Sequence, residues 1–162
     1  MERIEPGPGQ ESVWDYPVLP RIEPCLRHVI VRFGGVTIAE SKATLRLLER
    51  AHPPVYFVPA HHVRLELLTL GGQRAECDHL GLASYYDLSL DGRMARSVAR
   101  VFPDPLEGYE ALRGHLAFYP GRVDEVFVDG ERVAPQEGGF YGGWITAEVT
   151  GPFKGVPGSW TW

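Results

Sequence analysis

Cys77 and His79 stand two residues apart, a thiol and an imidazole that share one face if the segment is a strand. A nucleophilic thiol needs a nearby cation to lower its pKa and a base within reach to take its proton. His79 would be that base. Strands at 63–70 and 73–80, paired across a turn at Gly71-Gly72, place Arg64 opposite His79 and Glu66 opposite Cys77. Arg64 favours a thiolate and Glu66 opposes it. The plainer reading of Cys77 is a small, half-buried residue on a strand.

A second set suggests binding. Arg46 and Glu49 lie three apart in a run rich in helix formers, so they can pair along a helix expected over 42–50. A buried Arg46 would suit a carboxylate or phosphate, while a solvated Arg46 would contribute little. Tyr56, Tyr85 and Tyr86 either line a pocket for a planar ligand or pack in the core with their hydroxyls satisfied. The expected ligand-binding residues are therefore Arg46, Glu49, Tyr56, His62 and Tyr85. They surround a pocket near the 56–62 loop and the 77–85 hairpin, with Cys77 and His79 at its edge as the catalytic candidates. His61, His62, His79 and Cys77 are the available metal ligands. They form neither H-x-x-x-H nor C-x-x-C, so no metal or other cofactor is expected. Gly138-Gly139 and Gly142-Gly143 do not form a phosphate loop.

The elements that must position these residues are mainly strands. Glycine and proline number 19 and 14, which favours short strands joined by tight turns over a helical bundle. Residues 1–26 carry five prolines after position 5 and read as an extended arm anchored by Val13, Trp14 and Tyr16. A β-rich domain follows over 27–137. Val29, Val31 and Phe33 share the buried face of one strand, and Gly34-Gly35 turns it into the next. Asp91-Gly92 joins strands 82–90 and 93–102, with Asp87 opposite Arg96, and Asp129-Gly130 marks a third hairpin. Val55–Val58 is a short buried strand, His115–Tyr119 is another, and a second short helix is expected within 104–113. Residues 138–162 combine seven glycines with Trp144, Trp160 and Trp162, and read as an ordered arm. The arm packs on its own body or builds a homodimer.

Sixteen basic against twenty-one acidic residues give a net charge of −5, which argues against a sequence-independent grip on nucleic acid. No apolar run reaches the roughly 18 residues of a spanning helix, and the amino terminus is not a signal peptide. Two distant cysteines do not make a disulfide framework, so a cytoplasmic protein with free thiols is expected.

The stretches FGGVTIAES (33–41), HPPVYFVP (52–59), CDHLG (77–81), PDPLEGYEALRGHLAFYPGRVDEVFVDGERV (103–133) and GGFYGGWIT (138–146) resemble the domain of unknown function 427 family. The resemblance implies a β-tent, Mss4-like fold of antiparallel hairpin meanders. Many relatives with that fold hold zinc on two cysteine pairs, which Cys25 and Cys77 cannot supply. Nucleotidyl transfer, linked to the family by name, needs closely spaced aspartates after a Gly-Ser turn. Here Asp87 and Asp91 lie four apart, one of them in a hairpin turn. The chain departs from the family pattern at three places. His62 precedes Val63 where an acid is usual, Leu80 stands where lysine is usual, and Arg100 and Phe102 replace a Trp and a Tyr. Loss of that acid and lysine together marks either an inactive member or one with a different ligand.

Overall fold

Short β-branched runs punctuated by tight turns build an almost wholly β molecule. In the computed structural model, which describes residues 1–162, 46% of residues lie in strands, and the only helical pieces are 3-10 turns of three residues. The strands are β1 (Glu11–Ser12), β2 (Arg21–Cys25), β3 (Val29–Phe33), β4 (Val36–Ser41), β5 (Thr44–Leu48) and β6 (Val55–Pro59). The long β7 (Leu68–Cys77), β8 (Gly81–Leu90) and β9 (Arg93–Val101) follow. Then come β10 (His115–Phe118), β11 (Glu125–Val128), β12 (Glu131–Arg132), β13 (Ala134–Pro135), β14 (Trp144–Ile145) and β15 (Val149–Thr150).

Seven strands form an antiparallel sheet in the order β2-β5-β6-β10-β9-β8-β7, and four form a second in the order β12-β11-β3-β4. Two small pairs complete the fold, β13 with β14 antiparallel and β1 with β15 parallel. Every residue of β6 is buried. Alternation sends Tyr56 and Val58 into a core shared with Val29, Val31 and Phe33 of β3. It sends Val55 and Phe57 to the other side, among Leu47, Tyr85, Phe102 and Tyr119. One strand thus separates two cores, and each large side chain buried there contributes about 1.5–3 kcal/mol.

Three hairpins follow their turn residues. Gly34-Gly35, Asp91-Gly92 and Asp129-Gly130 all have positive φ at both positions, the conformation that matches strand twist in a two-residue turn. They pair Phe33 with Val36, Leu90 with Arg93 and Val128 with Glu131. Asp87 does not face Arg96 squarely, because a bulge falls between Tyr86 and Leu88. Its carboxylate instead accepts the Ser97 N–H at 2.8 Å, with Arg96 4.0 Å away on the surface.

No helix occupies 42–50; this is β5, flanked by β2 and β6. Apolar residues on both of its faces imitate the dense pattern of a helix, and tertiary pairing overrides the helix propensity of Leu and Arg. Residues 104–113 hold only the 3-10 turn Glu110–Leu112. Gly71-Gly72 is not a turn either. β7 runs through it with an irregularity between Leu70 and Arg74, and the reversal comes at Asp78–Leu80. Cys77 therefore faces Gly81, and neither Arg64 nor Glu66 lies opposite His79 or Cys77.

The terminal segments lie on the body of the same chain. β2 is an edge strand, where Pro24 leaves no central ladder bond unmade. Trp144 is fully buried in the larger core, stacked on Tyr56 at a ring separation of 4.7 Å, and its indole N–H donates to the Phe118 carbonyl at 2.9 Å.

Candidate functional site

β5 ends at Leu48, and the chain reverses through Glu49, Arg50 and Ala51 before Pro53-Pro54 leads into β6. The His52 N–H donates to the Glu49 carbonyl at 3.1 Å, and Ala51 takes a left-handed φ of 72°. Both terminal segments hold this turn: the Ala51 N–H donates to Val13, and the Ala51 carbonyl accepts the Lys154 N–H. Beside it lies a cleft of about 250 Å³. Glu49, His52 and Val55 form one wall, and Glu76, Cys77 and Asp78 at the end of β7 form the next. Arg100 of β9 and, from the C-terminal segment, Gln136, Phe140, Tyr141 and Lys154 complete its lining.

Gln136 fixes the state of His52. Its Oε1 accepts the Gly143 N–H at 3.1 Å, so its amide nitrogen is the group facing the Lys154 carbonyl at 2.7 Å and His52 Nδ1 at 3.1 Å. An amide nitrogen only donates, so Nδ1 accepts and the ring proton sits on Nε2. His52 is 8% exposed, and its ring lies edge-on to Tyr141. Burial, with Lys154 and Arg100 nearby, pushes its pKa down to about 4. Gly143 is required here, since a Cβ would come within 2.5 Å of Gln136 Oε1 and 2.7 Å of Pro53.

Arg100 is 6% exposed. Its guanidinium lies near the rings of Phe102 and Tyr119 at 5.7 and 5.9 Å, and its Nη1 meets Cys77 Sγ at 3.8 Å. It has no carboxylate partner. Burial pushes the Cys77 thiol up, and Arg100 only partly offsets this. Burial also raises the Glu49 carboxyl, against the pull of His79, Lys154 and Arg100.

The structure places Cys77 and Glu49 in one cleft and sets the other expected residues elsewhere. Arg46 and Glu49, an odd number of positions apart on an extended segment, do not share a face. Arg46 instead pairs with Glu11 at 2.8 Å and with Glu23, tying the N-terminal segment to β5. The Tyr16 hydroxyl donates to the same Glu11 carboxylate at 2.7 Å. Tyr56 and Tyr85 are core residues. His62 meets Ser41 Oγ through Nδ1 at 2.8 Å. His79 sits exposed in the β7–β8 turn with φ of 68°, beside a separate depression that includes Tyr109.

No motif in the sequence marks His52, Arg100, Gln136, Tyr141 or Lys154 as site residues. The one signal for Arg100 was its departure from the aromatic usual at that position, and His52 opens the HPPVYFVP segment. No three His, Cys, Asp or Glu side chains converge as a metal site, and no helix is long and apolar enough to cross a membrane.

These features define a mainly β, antiparallel domain with a charged cleft lined in part by its own C-terminal segment. The chain belongs to the family described as domain of unknown function (DUF427), whose model matches residues 21–129. No curated protein matches it. The matched span supplies Glu49, His52, Cys77 and Arg100, whereas Gln136, Tyr141 and Lys154 lie beyond it.

Proposed function

We propose that the domain binds a small anionic molecule in this cleft, with Arg100 as the anchor. The observation that carries the reading is a buried guanidinium without a counter-charge. Burying an ion costs several kcal/mol unless a partner offsets it, and an incoming carboxylate or phosphate would be that partner. Lys154 adds a second cation, and His52 Nε2–H offers a neutral donor. The binding place moves from the 56–62 loop to the 49–55 turn, while the Cys77 end of the hairpin remains part of it.

Titration calorimetry with a panel of small carboxylates and inorganic phosphate tests this. Binding by at least one anion is expected, with its loss in Arg100→Met, a variant checked for folding by circular dichroism. Unchanged affinity in a folded Arg100→Met protein, or no binding across the panel, would overturn the reading.

An enzyme built on Cys77 with His79 as base has less support, because the thiol is pushed up and His79 is exposed in the turn. A purely oligomer-building role for residues 138–162 also has less support, since Trp144 belongs to the core of its own chain. Two free thiols favour a reducing, cytoplasmic setting. The acidic balance favours a small-molecule partner over nucleic acid.

A further inference from the structure

Opposite charges line the cleft without meeting. Glu49 makes no side-chain hydrogen bond, and neither it nor Arg100 nor Lys154 enters any of the ion pairs of the molecule. Glu76 and Asp78 also line the cleft without an ion-pair partner, but both are exposed to solvent, whereas Glu49 is half-buried. Partly desolvated charges of opposite sign attract strongly and pair when the backbone lets them. Here they do not pair, and the backbone at two of them is anchored. Glu49 is fixed through its carbonyl to the His52 N–H, and Lys154 through its N–H to Ala51 and its carbonyl to Gln136. Arg100 is held between two rings and the Cys77 sulfur. An anion alone would satisfy Arg100 and leave Glu49 worse off, facing added negative charge.

We propose that the ligand is a zwitterion of amino-acid size, its carboxylate on Arg100 and its protonated amine on Glu49. This rests on the anion-binding reading and names its substrate class. The volume of about 250 Å³ falls below the usual range for drug-sized ligands, which limits the occupant to a small molecule. Leu47, Val55 and Phe140 supply apolar surface for its side chain. An arriving ammonium also relieves Glu49, whose carboxyl burial has raised, by restoring the favourable charge that solvent would otherwise give.

The test compares L-phenylalanine with 3-phenylpropanoate and 2-phenylethylamine, the same skeleton carrying both charges, the anion alone and the cation alone. Calorimetry at pH 7 is expected to show the amino acid binding about tenfold or more tighter than either single ion, the worth of one charge-assisted contact. Glu49→Gln should remove the advantage over 3-phenylpropanoate and leave the binding of that anion intact or improved. Arg100→Met should abolish both. Equal or tighter binding of 3-phenylpropanoate, lost in Arg100→Met, would overturn the zwitterion and leave the anion site standing. No binding by this trio, with binding elsewhere in the anion panel, would also overturn the zwitterion. Silence across both sets would overturn both readings.

Discussion

Trp144→Ala removes a side chain that the structure buries completely, although it comes from the glycine-rich C-terminal segment. Truncating a buried Trp costs about 3–5 kcal/mol in lost transfer energy and residual cavity. The change also strands the Phe118 carbonyl, which accepts the indole N–H in the protein interior, adding about 1 kcal/mol or more. The total is a large fraction of the roughly 5–15 kcal/mol that stabilises a typical domain. Trp144→Phe keeps a ring against Tyr56 and should lose only the hydrogen bond and a fraction of the packing, about 1–2 kcal/mol. Urea unfolding followed by far-UV circular dichroism reads both values. For a domain of this size each kcal/mol lowers the melting temperature by about 2–4 °C, so thermal scans should separate the two variants clearly. The wild-type midpoint should not depend on protein concentration, because the tryptophan is seated in its own chain. A cost below about 1.5 kcal/mol for Trp144→Ala, well under the range for large-to-small changes, would refute the placement of the segment in the core.

Removing both acids around Arg46, by Glu11→Ala with Glu23→Ala, leaves a guanidinium only 5% exposed without a counter-charge and should cost about 3–5 kcal/mol. Arg46→Met leaves carboxylates that water can reach and should cost roughly half as much or less, so the reverse order in urea would contradict the network. His52 has a pKa near 4 in the folded protein against about 6.5 unfolded, so the unfolded chain takes up the proton first as pH falls. Its contribution is intact above about pH 6.5 and is lost progressively towards pH 4, by up to about 3 kcal/mol. Compared with wild type, His52→Asn should flatten the stability profile in that window, and parallel profiles would reject the buried neutral imidazole. Alkylation of Cys77 by iodoacetamide should rise only above the ordinary thiol range, with a midpoint higher still in Arg100→Met. A wild-type midpoint below about 8.5 would restore the case for a nucleophile.

The hairpins were legible wherever a turn demanded a residue that tolerates positive φ in both central positions. Asp91-Gly92 and Asp129-Gly130 identify themselves. Gly71-Gly72 carried the same signal for another reason: a Cβ at Gly71 would lie 3.1 Å from the Asp87 carboxylate on the neighbouring strand. The true reversal uses His79 in the left-handed region, a residue that nothing in the local pattern distinguishes. β5 was hidden because burial on both faces erases the alternation that identifies a strand. The site was half legible. Cys77 and Glu49 were marked by their chemistry, but Arg100 and Lys154 join them only through pairing between distant segments. The pairing of Gln136 with His52 spans 84 positions and leaves no periodic trace.

The parallel pairing of β1 with β15 joins Glu11 to Val149 and Ser12 to Thr150. The contact is reinforced by Trp14 Nε1–H donating to Pro152 and by Gln10 donating to Ala147. During synthesis the first of these residues leaves the ribosome long before its partner has been translated. At about 5–20 residues per second, the separation amounts to a wait on the order of ten seconds. Through that interval Val13 and Tyr16 have no Val149 to close their cluster, and the Ala51 turn lacks the Lys154 strap. The cleft is therefore among the last features to form on a nascent chain, and a truncated translation product emerges without a complete cleft even when its hairpins have already folded.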